Sequence, residues 1–202
     1  MQRLWYVAYG SNLSRDRFIC YIQGGRPTAG SRDYPGCRDP LAPEADAPVL
    51  LPGGLRFVGV SSVWGGGLAV YDGEAAGEVA ARAYLISAEQ FVDVLAQETR
   101  REPGLELDLS PVRETGWHSF GPGHYQTLAN VGVRDKLPML TFTSARLTDV
   151  VDNAPSAGYL RTMAVGLAEA HGWSPRRIAG YLGRFPGAAE AWTEDAIESL
   201  AA

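Results

Sequence analysis

The stretch Arg3-Leu4-Trp5-Tyr6-Val7-Ala8-Tyr9-Gly10-Ser11-Asn12-Leu13 decides how the chain is read. An apolar and aromatic run that stops at a glycine is the pattern of a buried first strand, expected here over Arg3–Tyr9. Tyr6 differs in parity from Trp5 and Tyr9, so the strand offers rings to both faces. Gly10 allows a sharp turn. Beyond it, Ser14 can cap a helix with Phe18, Ile19 and Ile22 on one face. A polar turn between a strand and a helix leaves consecutive amides where an anion can be met. An ordinary strand-to-helix connection has the same spacing, so both readings stay open. Ser11 is a candidate nucleophile, but no Gly-x-Ser-x-Gly elbow surrounds it and nothing in the sequence identifies a partner histidine.

Working outward, strands are expected at Leu55–Ser61, Leu68–Tyr71, Glu78–Ile86, Tyr125–Val133 and Pro138–Thr143, about six with the first. Ser87 opens a second helix, and Gln90 three residues on completes a capping box. In the last third, Ser156 caps a helix aligning Tyr159, Met163, Leu167 and Ala170, and Gly172 ends it. Ser174-Pro175 starts another, and a short helix follows Thr193. Strands alternate with helices and helices finish the chain, so the class is α+β or α/β with a mixed sheet, open or closed.

The 202 residues suit a single domain spanning 1–202. Two irregular segments interrupt it as long loops: 24–54, rich in Gly and Pro, and 99–123. With 46% apolar and 20% charged residues the chain is globular, not disordered. A net charge of −5 argues against a general nucleic-acid or anionic-membrane partner. Two cysteines, Cys20 and Cys37, are too few for a disulfide framework and read as free thiols of the cytoplasm. His118, His124 and His171 lack metal-ligand spacing, so no metal is expected. Leu4–Tyr9 is far too short for a signal segment or membrane span.

Three further segments can carry chemistry. In the second helix, positions 91, 94, 95 and 98 follow the i, i+3, i+4, i+7 rule, so Glu98 shares a face with Phe91, Val94 and Leu95. A carboxylate there faces protein and suits a proton carrier. A helix-end Glu paired with Arg100 or Arg101, or reaching solvent by fraying, fits equally. Trp64-Gly65-Gly66-Gly67 has no Lys-Ser/Thr after it and reads best as a glycine-rich turn into a strand. In Pro155-Ser156-Ala157-Gly158-Tyr159, Ser156 is a cap, and Tyr159 is a core residue or points its hydroxyl into a cleft.

In order along the chain, these pieces resemble the γ-glutamylcyclotransferase-like family. Tyr6-Val7-Ala8-Tyr9-Gly10-Ser11-Asn12-Leu13 is similar to that family's glutamyl-binding loop, and Trp64–Gly67 to its Trp/Gly-Gly segment. Leu95-Ala96-Gln97-Glu98 is similar to the stretch with its catalytic glutamate, and Pro155–Tyr159 with Gly166 and Gly172-Trp173 to its late substrate-contacting helix. The resemblance covers residue 6 to about 182. The long segments 24–54 and 99–123 depart from compact members, as does the light strand Val79–Tyr84. The resemblance implies a small mixed β-barrel with helices outside. It implies intramolecular aminolysis of a small-molecule γ-glutamyl amide (of an amino acid, an amine or an acylated metabolite, the long loops leaning toward an unusual or larger amine) that releases 5-oxoproline and the free amine, with no cofactor, Glu98 as the catalytic residue, and Tyr6, Val7, Ala8, Tyr9, Gly10, Ser11, Asn12 and Tyr159 binding substrate. Two alternatives remain: a non-catalytic binding module of the same fold, and an amidase using Ser11. The cyclotransferase expectation puts the Glu98 carboxyl across a hollow from the 9–12 turn.

Overall fold

A computed structural model of the chain describes residues 2–28, 32–145 and 150–202. Its elements in order are β1 (Arg3–Ala8), a 3-10 turn (Ser11–Leu13), α1 (Arg15–Gln23), β2 (Ala45–Pro52), β3 (Gly54–Val58), β4 (Leu68–Asp72) and β5 (Glu78–Ser87). They continue with α2 (Ala88–Glu98), α3 (Ser110–Thr115), β6 (Trp117–Ser119), β7 (Thr127–Arg134), β8 (Leu137–Thr143), α4 (Ala157–His171), α5 (Pro175–Leu182) and α6 (Glu194–Ala201). The chain forms two compact units. One holds 1–8, 16–47 and 82–145; the other holds 9–15, 48–81 and 146–202.

The six-stranded sheet runs β2-β5-β1-β8-β7-β6. The first strand is central because it is apolar on both faces. It pairs antiparallel with β5, Val7 opposite Ala83 and Ala8 opposite Arg82, and parallel with β8, Tyr6 beside Leu140. In the first unit, Tyr6 sits within ring-contact range of Phe18, Tyr84, Phe91 and Phe142, at 5.3, 6.4, 5.9 and 5.1 Å between centroids. Phe18, Phe91 and Leu95 are fully buried in this core, each stabilising the fold by about 1.5–3 kcal/mol. The expected capping box fixes the start of α2: the Ser87 hydroxyl accepts the Gln90 amide, and the Gln90 side chain accepts the Ser87 amide.

The second unit holds the β3–β4 ribbon and helices α4 to α6. Caps expected from sequence begin each helix: Ser156, Ser174 and Thr193 accept amides of Tyr159, Arg177 and Ala196. Gly172, at φ +65°, ends α4 in the left-handed conformation that glycine adopts without strain. A Cβ on Gly166 would collide with Leu13 and Ser14, so this glycine lets α4 approach the 3-10 turn. Glu169 near the end of α4 accepts the Arg15 amide at 3.0 Å.

The α+β class with a mixed sheet and flanking helices is as expected, but the sheet does not close into a barrel. Its ends are β2 and β6. The segments read as loops also hold structure. β2 lies inside 24–54; α3 and β6 lie inside 99–123. Residues 29–31 of the first segment lie outside the described residues. Proline hid β2, since Pro48 and Pro52 argue against a strand except at a sheet edge, where a missing amide costs no ladder bond. α3 and β6 are too short to show a period. Among the described residues, no helix is long and apolar enough to cross a membrane.

Candidate active site

Three of the singled-out segments meet inside the second unit, around Tyr159. Its ring is 5.4 Å from that of Trp64 and 6.1 Å from that of Phe57. Its hydroxyl accepts the Ala69 amide at 3.1 Å. A Cβ on Gly10 would stand 2.8 Å from that same hydroxyl. Tyr159 is only 2% exposed, so its ring packs as a core residue while its hydroxyl reaches the 9–13 turn. The glycine run serves the same assembly. Gly67 donates to the Ala154 carbonyl at 2.8 Å, and a Cβ on Gly66 would lie 2.7 Å from that carbonyl. The run is a packing seam, in line with the turn-into-strand reading.

The turn itself is buried at Tyr9, Ser11 and Asn12. Tyr9 packs against Tyr71 at 5.9 Å, and Tyr71 is anchored by donating to the Pro52 carbonyl at 2.6 Å. The Leu13 amide is taken by the Gly10 carbonyl and the Ser14 amide by the Ser11 carbonyl. An anion must therefore be met by amides upstream of Leu13. The Ser14 backbone is extended and α1 begins only at Arg15, so the turn leads into one 3-10 turn and not directly into a long helix.

Glu98 belongs to the first unit. It is the last residue of α2, half-buried, one turn beyond the buried Leu95. Close by in that unit stands Arg17, 4% exposed, whose guanidinium donates to the hydroxyls of Tyr34 at 2.7 Å and Tyr21 at 3.3 Å. It also lies over both rings, 5.4 Å from the Tyr21 centroid and 5.2 Å from that of Tyr34. Burial alone would lower the Arg17 pKa; Tyr21, Tyr34 and Glu98 together outweigh it and hold the guanidinium above the ordinary arginine value. Burial first, and the Glu98 charge second, push Tyr21 well above the ordinary tyrosine value. The cluster thus places a fixed positive charge within electrostatic reach of Glu98.

Tyr6, Val7 and Ala8 also lie in the first unit, on β1, at 3%, 0% and 2% exposure. The Tyr6 ring is enclosed by its aromatic neighbours, and the Val7 carbonyl accepts the Thr141 hydroxyl at 2.7 Å. The structure therefore gathers the predicted residues as two sets. Tyr9, Gly10, Ser11, Asn12 and Tyr159 are in one unit; Tyr6, Val7, Ala8 and Glu98 are in the other.

No family model matches the chain. In sequence it is 28% identical over 202 aligned positions to histone deacetylase 5 of Arabidopsis thaliana, an alignment covering 89% of this chain. The chain spans 30% of the length of that relative. Among solved structures, a human protein described as uncharacterized protein loc79017 is similar with a TM-score of 0.54 at 16% identity, covering 99% of each chain. A γ-glutamyl cyclotransferase is similar with a TM-score of 0.55 at 15% identity, covering 98% of each chain. The chain has the γ-glutamyl cyclotransferase fold. At these identities the likeness fixes the architecture alone, and the neighbour with a named activity is an enzyme.

Sequence reasoning missed Arg17, Tyr21 and Tyr34. Arg17 carried a usable signal: it stands one turn before Tyr21 on the face of α1 that also buries Phe18 and Ile22. An arginine inside a buried stripe needs a partner. Tyr34 carried none, because its place comes from a short backbone bridge to Gly25 within the Pro/Gly-rich segment. Among the described residues, no group of three His, Cys, Asp or Glu side chains is gathered as a metal ion would require.

Proposed function

We propose that this chain is a cyclotransferase acting on a γ-glutamyl amide, with 5-oxoproline and a free amine as products. The substrate's own α-amine attacks its γ-carbonyl carbon. A carbon–nitrogen bond forms, closing the five-membered ring, and the bond to the leaving amine breaks. No water is consumed and no protein nucleophile is needed, since attacker and target share one molecule. The protein must hold the substrate in a near-ring conformation, which is the kind of positioning that removes several kcal/mol of barrier. It must also move protons.

Glu98 is the proton carrier: it accepts one from the α-ammonium and returns one to the departing nitrogen. Backbone amides of Tyr9, Gly10 and Ser11 hold the glutamyl portion and stabilise charge developing on the carbonyl oxygen. Tyr159 hydrogen-bonds the substrate. The observation that carries the proposal is the assembly at Tyr159, where Gly10, Trp64 and Ala69 converge on one side chain. Segments far apart in sequence share one packing centre. The fold shared with a γ-glutamyl cyclotransferase and the charged arginine beside Glu98 support it further.

The test is mass-spectrometric detection of 5-oxoproline from a panel of γ-glutamyl amino acids, γ-glutamyl amines and γ-glutamyl-acylated aminoglycosides. Release from at least one class is expected. Free glutamate with a trapped acyl-enzyme at Ser11 would establish the amidase instead. Saturable binding without product across the whole panel would establish a non-catalytic module.

A further inference from the structure

The second unit holds a cavity of about 220 Å3 far along the chain from the singled-out turn. One wall is a single face of α5 and its flanks: Trp173, Arg177, Gly180, Tyr181 and Arg184 recur at helical spacing. Ala80 of β5 also lines it. The Tyr181 hydroxyl accepts the Ala80 amide at 2.8 Å, which fixes the phenol ring as a rigid wall. The Arg177 guanidinium lies 4.1 Å over the Trp173 ring. That of Arg184 lies 4.8 Å over Tyr181 and donates to the Glu78 carbonyl at 2.6 Å. Both cationic heads are thus held in place by stacking. Neither pairs with a carboxylate among the described residues. Glu78 also lines the cavity and a Glu194 carboxylate oxygen stands beside Gly180, so the two arginines are the cationic side chains of the lining.

Gly180 supplies an independent observation. It stands inside α5, where glycine costs helix stability relative to alanine. Packing does not require it: a Cβ there would find nothing nearer than a Glu194 carboxylate oxygen at 3.9 Å. What the missing side chain does is leave the cavity open.

We infer that this cavity binds a small organic anion, its acidic head between Arg177 and Arg184 and its flat apolar body over Gly180 and the Tyr181 ring. The head is a carboxylate or a phosphate, since the planar guanidinium fork donates to the oxygens of either. The site stands independently of the proposed cyclotransferase chemistry.

Calorimetric titration with benzoate, phenyl phosphate and neutral benzyl alcohol tests it. Saturable binding of at least one anion is expected, weakening as salt is added, and the tighter anion identifies the head. The Arg177→Gln/Arg184→Gln variant should bind about tenfold more weakly or worse. Gly180→Leu should fill the cavity and abolish binding while leaving the circular-dichroism spectrum and any 5-oxoproline release unchanged. No saturable binding of either anion, benzyl alcohol binding as tightly as the anions, or undiminished binding by the double arginine variant would each overturn the inference.

Discussion

Gly10 and Tyr159 are matched to each other: a side chain on Gly10 would begin 2.8 Å from the Tyr159 hydroxyl, and that hydroxyl is tied to the Ala69 amide at 3.1 Å. The phenol cannot swing away without breaking a buried bond. Gly10→Ala should therefore cost about 1–3 kcal/mol, as overpacking does, with a fall in Tm of several degrees. Tyr159→Phe removes the obstacle but strands the Ala69 amide, also at about 1–3 kcal/mol. In the double variant the two losses should fall well short of their sum, because the phenyl ring leaves room for the new methyl. Strict additivity in thermal unfolding would show that the two residues do not meet.

Ser11 separates two chemistries. Cyclisation needs no protein nucleophile, so Ser11→Ala should keep most of its 5-oxoproline release, the backbone bonds from Leu13 to Gly10 and from Ser14 to Ser11 staying in place. Loss of turnover with an intact circular-dichroism spectrum would point to the serine as the attacking group.

In the proposed mechanism Arg17 acts on Glu98 as a positioning residue. The Glu98 charge raises the Arg17 pKa, and by reciprocity the guanidinium favours the ionised carboxylate. In Arg17→Gln the acid limb of the pH–rate profile should move to higher pH, because Glu98 then loses its proton less readily. Tyr34→Phe keeps the charge and should move the limb little. An unshifted limb in Arg17→Gln would remove this role.

Cys37 is half-buried and gives its thiol proton to the Tyr21 carbonyl at 3.3 Å. Burial first, then Asp93 and Asp39, push the thiol up to about 12 from an ordinary value of 9.0. The folded state holds this proton where the unfolded chain has lost it. The corresponding stability is thus complete below pH 9 and lost as pH rises from 9 toward 12. Iodoacetamide should label Cys37 slowly at pH 8 in the native protein and quickly after unfolding, and Cys37→Ala should flatten the alkaline fall in stability. Rapid native labelling would contradict the assignment.

Much of this architecture is written locally. The first strand is apolar on both faces, and its central place in the sheet follows. The Ser87/Gln90 box and the caps at Ser156, Ser174 and Thr193 are short-range patterns, and each helix starts where its cap stands. What escaped was set by tertiary position. β2 tolerates its prolines because it is an edge, and sheet closure depends on pairing between strands distant in sequence, which no local pattern encodes. At the site, Glu98 was legible from helix periodicity as a carboxylate on an apolar face. Its arginine partner was not, because α1 and α2 share no sequence signal that pairs Arg17 with Glu98. Tyr159 was legible as a buried helix residue, whereas the reach of its hydroxyl toward Gly10 depends on three segments folding together.

The most direct measurement is 5-oxoproline release by Glu98→Gln, with folding confirmed by circular dichroism and thermal unfolding. The variant keeps the shape of the side chain and removes its ability to carry a proton. Turnover of a γ-glutamyl substrate used by the wild-type protein should fall by roughly 100-fold or more, the scale of general acid–base catalysis. A folded Glu98→Gln protein that releases 5-oxoproline at the wild-type rate would contradict the role given to Glu98.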